Sequence, residues 1–428
     1  MIALALTTVL AAAGGGSSGF GGGGGGGGGG YGGGGAGGAG GGSPLFFLVI
    51  VVGFLLFVMV TGLQVRKTRK RREARRRRVE LASAEAADDD PLFAADAVVQ
   101  AAERIFRAAQ EAWDARDDAR LAQLLDPDLL VEWRRRLDDF AERGWDNRVE
   151  VLSVDAVEYL GLVNREGTAD DRVTVRVSAR LRDWVETLDG ATVMRRGAAS
   201  SIISLTEYWT LGRRSDGWFV ASIESDAEGT HVLDEEIVAS PWGDEQRMQD
   251  ASIVEVAAAD KLPDGISTAE VADLDYAGDA RAAALDLSLA DGRWAPDVLE
   301  ASVRRAVAAW AAAVDGADRD LLDVATPQAA SELLHPGDPS GKTRLVIRGP
   351  RVRHLRIVAL GPAATPPTMT VEVEVHGRRY VEDRDTAAVL SGSKSRAATV
   401  AERWTLALAG PDDRPWQVVG VAGSDVHA

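Results

Sequence analysis

Asp155 and Tyr159 lie four residues apart in a stretch where Val149, Val151 and Val157 share their parity, so an extended strand would turn both toward one face. An inward Asp beside a Tyr hydroxyl suits general acid–base chemistry, in which the carboxylate moves a proton and the phenol steadies an oxyanion. This pair is the best catalytic candidate in the chain. The plainer reading is an Asp at a strand end and an aromatic rim residue, so no residue is assigned a catalytic role. His376 shares a strand with Glu372 and Glu374, opposite Met369, Val371, Val373 and Val375, and is expected in solvent. His354 falls on the strand before it, between Arg353 and Leu355. Glu207 and Glu402 each stand two residues before a tryptophan and read as structural partners of a helix arginine such as Arg104 or Arg304.

The chain has no Cys, and its 5 His residues are scattered, which excludes thiolate nucleophiles, disulfides and Cys-ligated metal and leaves no metal-ligand spacing. Its glycine tract has no strand before it and no Lys-Ser/Thr after it, so it is not a phosphate-binding loop and no cofactor is expected. Residues 66–78 carry 10 of the 48 basic side chains against Glu73 alone; from Val79 onward 38 basic face 64 acidic groups, a net of −26. A body that acidic repels phosphate backbones, and nucleic acid is excluded as a partner.

The elements that must carry these residues follow from periodicity. Pro91 with Asp90 as its cap marks a helix start, and Val98, Ala102, Ile105, Phe106, Ala109 and Trp113 recur every three to four residues. Asp117 and Asp126-Pro127 start a short second and a third helix, the latter closing at Gly144. The period then becomes two: Val173, Val175, Val177, Ala179 and Leu181 alternate with Thr174, Arg176, Ser178, Arg180 and Arg182. Further strands are expected at 149–163, 200–211 and 218–225, separated by Glu166-Gly167, Asp189-Gly190 and Asp216-Gly217. Helices followed by strands imply an α+β layer of helices on a curved antiparallel sheet.

The second half repeats this order. Trp113 matches Trp310, Pro127 matches Pro327, Glu207 matches Glu402, Trp209 matches Trp404, Trp218 matches Trp416 and Asp226 matches Asp425. Two tandem domains follow, at 91–226 and 293–428. The connector, 227–292, is expected to be partly ordered, because Ile237, Val238 and Trp242 need a covering surface. The matched tryptophans read as core, while Trp209 and Trp404 are also candidates to line a binding mouth, and Trp133 on the third helix is a candidate partner contact.

Residues 45–65 hold no charge over a length that suits the ~20 residues needed to cross ~30 Å of hydrocarbon, and a transmembrane helix is expected at 44–65. The run RKTRKRREARRRR follows at once, and the segment 66–90 reads as a basic juxtamembrane stretch ending in an acidic break. Basic flanks stay inside, which places the C-terminal domains in the cytoplasm at the cell's inner membrane and the glycine-rich arm outside. Arg66, Lys67, Arg69, Lys70, Arg71 and Arg72 are the candidate contacts for anionic lipid headgroups. The arm, 14–43, holds 23 of the 47 glycines, interrupted by Ser17, Ser18, Phe20, Tyr31, Ala36 and Ala39, and reads as flexible coil. Before it, residues 1–13 resemble a signal peptide without its basic leader.

This constellation, ending in E-x-W-T-L and a following W-x-V-A, resembles the Tim-forty-four-like domain family, bacterial relatives of the peripheral subunit that anchors the import motor at the mitochondrial inner membrane. The resemblance covers residues 92–226 well and 295–425 more loosely. It implies two cone domains of the nuclear-transport-factor-two-like fold, each a curved sheet wrapped by helices around a groove for a protein partner or lipid. The motor-binding region of the mitochondrial member is absent here. The expected function is a non-enzymatic, membrane-anchored adaptor; the alternative is a tethered ligand binder or enzyme of the ketosteroid-isomerase-like cone type.

Overall fold

A computed structural model of the chain describes residues 13–20, 44–261, 279–314 and 319–422. Its longest element is helix α1, Pro44–Asp89, unbroken over 46 residues. The basic run and the acidic residues expected as a break are therefore the second half of one helix. What holds that half is a narrow stripe hidden among charges: Arg75, Val79, Ser83 and Ala86 follow one another at helical spacing, and all are at most 2% exposed. Among the described residues no helix is long and apolar enough to cross a membrane. The expected span falls on the first half of α1, of whose side chains Met59 and Leu63 are described. The signal-like stretch up to residue 12, and 21–43 of the arm, lie outside the described residues.

Asp90 caps a 3-10 turn, Pro91–Phe93, by accepting from the Leu92 N–H at 2.9 Å. The helix expected to start at Pro91 begins after that turn, as α2, Ala95–Asp114. Helices α3, Asp118–Leu124, and α4, Pro127–Glu142, start at the predicted caps, where Asp117 accepts from Arg120 N–H and Asp126 from Asp128 N–H. The sheet comprises β1 (Trp145–Val163), β2 (Arg172–Thr187), β3 (Thr192–Val193), β4 (Ile202–Arg214) and β5 (Gly217–Ser225). It is antiparallel in the order β1-β2-β4-β5, with β3 on β2. The inward set of β2, Val173, Val175, Val177, Ala179 and Leu181, is buried against the helices as its alternation requires.

The connector contains a 3-10 segment, Glu228–Asp234, and helices α5 (Glu245–Ala259) and α6 (Ala280–Ser288). Val238 is covered and Ile237 packs on the first core, but Trp242 is 83% exposed, against expectation. Val254, Ala257, Ala284 and Leu287 belong to the second core, so the second unit begins well before 293. That unit continues with α7 (Pro296–Ala313), α8 (Arg319–Leu322) and α9 (Pro327–Leu334). Strands β6 (Thr343–Gly361), β7 (Thr368–Asp383), β8 (Val389–Leu408) and β9 (Trp416–Ala422) follow in the order β6-β7-β8-β9.

The two units agree at the level of register. Val175 pairs with Trp209 and Val177 with Glu207; in the second unit Val371 pairs with Trp404 and Val373 with Glu402. The residue before each third-helix proline bonds to the last strand, Asp126 N–H to Val220 O at 2.7 Å and Thr326 N–H to Val418 O at 2.8 Å. One landmark is out of step. Phe93 packs edge-on to Trp218 and Trp294 edge-on to Trp416, which gives the helices a common origin. Trp113 lies 20 residues past Phe93 and Trp310 lies 16 past Trp294, so these two tryptophans sit about a helical turn apart rather than at one place. Asp425 lies outside the described residues.

Candidate functional site: the cleft between the two units

Helix α4 presents buried Glu132 and Trp133 and half-buried Arg136 to a cleft shared with the second sheet. Glu132 accepts from Arg344 of β6 at 3.1 Å and from Arg384, just past β7, at 2.5 Å. Burial raises the Glu132 carboxyl, but Arg384, Arg344 and Arg136 outweigh it and hold the group below its usual range. Arg136 lies 3.3 Å from Glu382 of β7, which Lys394 also approaches at 3.0 Å. Burial alone would raise Glu382; Lys394, Arg136 and Arg348 bring it down to about 2. A second cluster joins β5 and the Glu228–Asp234 segment to β6 and β7. The Tyr380 hydroxyl donates to Glu228 Oε1 at 2.6 Å, and Arg348 stands 3.8 Å from Glu224.

His231 bridges Glu224 at 2.7 Å and Glu235 at 2.5 Å. Burial disfavours its charge, yet Glu224 and Glu235 raise it to about 10, so the ring is cationic at neutral pH. Gly349 lies against that ring with φ +54°, where an added Cβ would stand 2.3 Å from the His231 Cβ. Between the two clusters is a cavity of about 50 Å³ bounded by Glu132, Trp133, Arg136, Arg344, Tyr380 and Glu382.

Residues 13–20 lie over this cleft. Ala13 N–H donates to Gln110 Oε1 at 3.0 Å, Gly14 O accepts from Arg136, and Ser17 Oγ donates to Asp139. Ser18 N–H reaches Thr386 O of the second unit at 3.3 Å. The arm was expected across a bilayer from the domains; residues 13–20 instead pack on them, because the residues that interrupt the glycines find partners there.

The predicted site residues fall in different places. Trp133 borders the cleft but is buried, its ring edge-on to Trp113 at 5.2 Å. Asp155 and Tyr159 do not form an inward pair: a register shift between Val154 and Ala156 puts Asp155 in a bulge, where it is exposed and accepts from Ser153 at 2.7 Å. Tyr159 points into the core, and burial raises its hydroxyl well above the usual phenol range. Trp209 and Trp404 are core, against Phe106 and Trp310 respectively, and line no mouth. Glu207 accepts from Trp209 Nε1 at 3.0 Å and Glu402 pairs with Arg379 at 2.8 Å, not with Arg104 or Arg304. On the sheet His354 is exposed and His376 is half-buried, beside Thr399 Oγ1 at 3.0 Å. Arg66, Lys67, Arg69 and Lys70 are exposed on α1, whereas Arg71 pairs with Asp234 and Arg72 is half-buried. Among the described residues no group of three His, Asp or Glu could hold a metal.

A family model described as Tim44-like domain matches residues 79–225, which begins on the buried stripe of α1 and ends with β5. Residues 79–225 are a Tim44-like domain. The match thus takes the end of α1 into the Tim44-like domain, in agreement with the burial of Val79, Ser83 and Ala86. Among solved structures the chain is similar to the intermembrane space region of chloroplast protein ARC6, at 20% identity over 30% of this chain and 95% of that one, with a TM-score of 0.24. It is also similar to an Ntf2-like protein involved in plasmid conjugation, at 11% identity over 74% of this chain and 94% of that one, with a TM-score of 0.19. No curated protein matches the sequence.

Proposed function

We propose that the chain is a non-enzymatic adaptor, attached to the inner face of a membrane through the apolar first half of α1, that displays its two domains to a protein partner. The observation that carries this reading is the continuity of α1. The helix that begins with an uncharged run ends as part of the Tim44-like domain, with Arg75 donating to Leu160 O at 2.7 Å and Glu235 O at 2.6 Å. From Val65 to Arg75 the rise is about 15 Å, so the mount is rigid and holds the domain close to a bilayer rather than on a loose linker. Arg66, Lys67, Arg69 and Lys70 occupy that interval and suit anionic headgroups. The filling of both cores by tryptophan supports display over pocket chemistry, since Trp209 packs on Phe106 and Trp404 on Trp310 inside the two cores.

The test is flotation of the full chain with vesicles containing phosphatidylserine, followed by alkaline carbonate extraction. Retention after extraction supports an integral anchor; release overturns it. Photoreactive residues at exposed Leu188 and Leu390 and at half-buried His376 then report the partner in native membranes. A single defined protein adduct supports the adaptor reading, and recovery of lipid alone overturns it.

A further inference from the structure

The glycine tract is interrupted at the residues that dock. Phe20 is 3% exposed, its ring edge-on to Phe140 at 5.9 Å and under the Arg195 guanidinium at 4.8 Å. Arg195 is itself fixed by an ion pair to buried Asp183, whose other oxygen accepts from Asn147 at 2.9 Å. Phe20 also bridges antiparallel to Arg195, and Arg196 N–H donates to Gly19 O at 2.8 Å. At the other end the fit is to the absence of a side chain. Gly14 has φ +77°, and a Cβ there would meet the Trp133 ring at 2.5 Å; a Cβ on Gly16 would meet Thr386 O at 1.8 Å. Small residues where the walls are close, a serine on Asp139 and a phenylalanine in an aromatic and cationic seat are the marks of sequence-selective recognition of an extended segment.

We infer that the cleft between the two units is a peptide-binding groove for a segment of the pattern Gly-x-Gly-Ser-x-x-Phe, and that its occupant is this chain's own residues 13–20, bound in cis. The tether through 21–43 makes the event intramolecular, at an effective concentration of order millimolar, so a weak groove is enough to stay filled. Because Ser18 contacts the second unit and Phe20 the first, the bound arm also joins the two units. This inference rests on the docked geometry, which belongs to the state in which the first half of α1 is not inserted in a bilayer.

The chain lacks Cys, so the pair Ser18→Cys and Thr386→Cys can be oxidised without background in the full chain in detergent micelles. An intrachain crosslink at monomer mass is expected, and adding Phe20→Asp should cut its yield about tenfold. No crosslink, or disulfide dimers alone, overturns binding in cis. A fluorescent peptide of residues 11–22 gives a second readout that needs no disulfide. It should bind the Phe20→Asp chain about tenfold more tightly than the unaltered chain, whose own arm competes; equal binding to both, or to neither, overturns the groove.

Discussion

Glu132 of the first unit and Arg384 of the second meet at 2.5 Å in a buried setting, with Arg344 at 3.1 Å on the same carboxylate. One carboxylate thus holds two guanidinium groups from the other unit. Removing one partner of a buried pair costs about 3–5 kcal/mol, chiefly because the remaining charge is left uncompensated. Glu132→Gln should therefore destabilise the union of the units more than either core, read as a lowered denaturation midpoint and an increased radius of gyration in solution scattering. Combining Glu132→Met with Arg344→Met and Arg384→Met should recover much of the loss. A triple variant no better than Glu132→Gln would show that the network does more than neutralise charge.

The same interface makes stability depend on pH on both sides of neutrality. Glu382 and Glu224 lie at about 2 in the fold against an ordinary 4.5, where burial is outweighed by Lys394 for the first and by His231 for the second. A depressed carboxyl contributes stability that is fully present above about 4.5 and lost as pH falls toward about 2. His231 is raised from 6.5 to about 10, so its contribution is fully present below about 6.5 and lost as pH rises toward about 10. Denaturation midpoints should peak between about 4.5 and 6.5 and fall on either side. His231→Ala should flatten the alkaline limb and, because His231 holds Glu224 down, the Glu224 share of the acid limb too, leaving the share of Glu382; an alkaline slope unchanged in that variant would remove His231 as its source.

Much of this architecture is legible in the sequence, and the exceptions have particular causes. The caps at Asp117 and Asp126 and the alternation in β2 act through neighbours along the chain, so a local pattern suffices to find them. Asp155 defeats the same logic, because a bulge shifts parity and no residue type announces it. The α1 stripe is masked by composition: Arg75 and Ser83 occupy buried positions where an apolar residue would have been read. The cleft was out of reach for another reason. Glu132 finds Arg344 and Arg384 more than 200 positions away, and no periodicity encodes such a pairing. The one available signal was Glu132 standing with Leu129 and Trp133 on the buried face of α4.

Arg75 is the joint between α1 and the Tim44-like domain. Its guanidinium is buried, which lowers its pKa to about 10, and it serves carbonyls on both β1 and the connector. Arg75→Ala should cost about 1.5–3 kcal/mol for each charged hydrogen bond lost. Hydrogen exchange should report faster amides over 75–89 with the cores unchanged. Arg75→Lys, a single ammonium in place of a fork, should not restore protection; full restoration would mean that charge alone is needed there.

Docking of the arm and insertion of α1 exclude each other. If 45–65 spans a bilayer with the domains inside, residue 44 is on the far side, and 21–43 would have to return through hydrocarbon for residues 13–20 to reach the cleft. A segment so rich in glycine would carry backbone groups that lose water and gain no partner in hydrocarbon, at several kcal/mol each. The docked structure is then the uninserted state, and insertion empties the cleft. The Ser18→Cys and Thr386→Cys pair measures this directly, because the crosslink that forms in micelles should vanish after reconstitution into proteoliposomes while the membrane-impermeant labelling of Ser18→Cys appears on the side opposite the domains. A crosslink of equal yield in both settings would place the whole chain on one side of the bilayer and make α1 a surface-bound helix instead of a span.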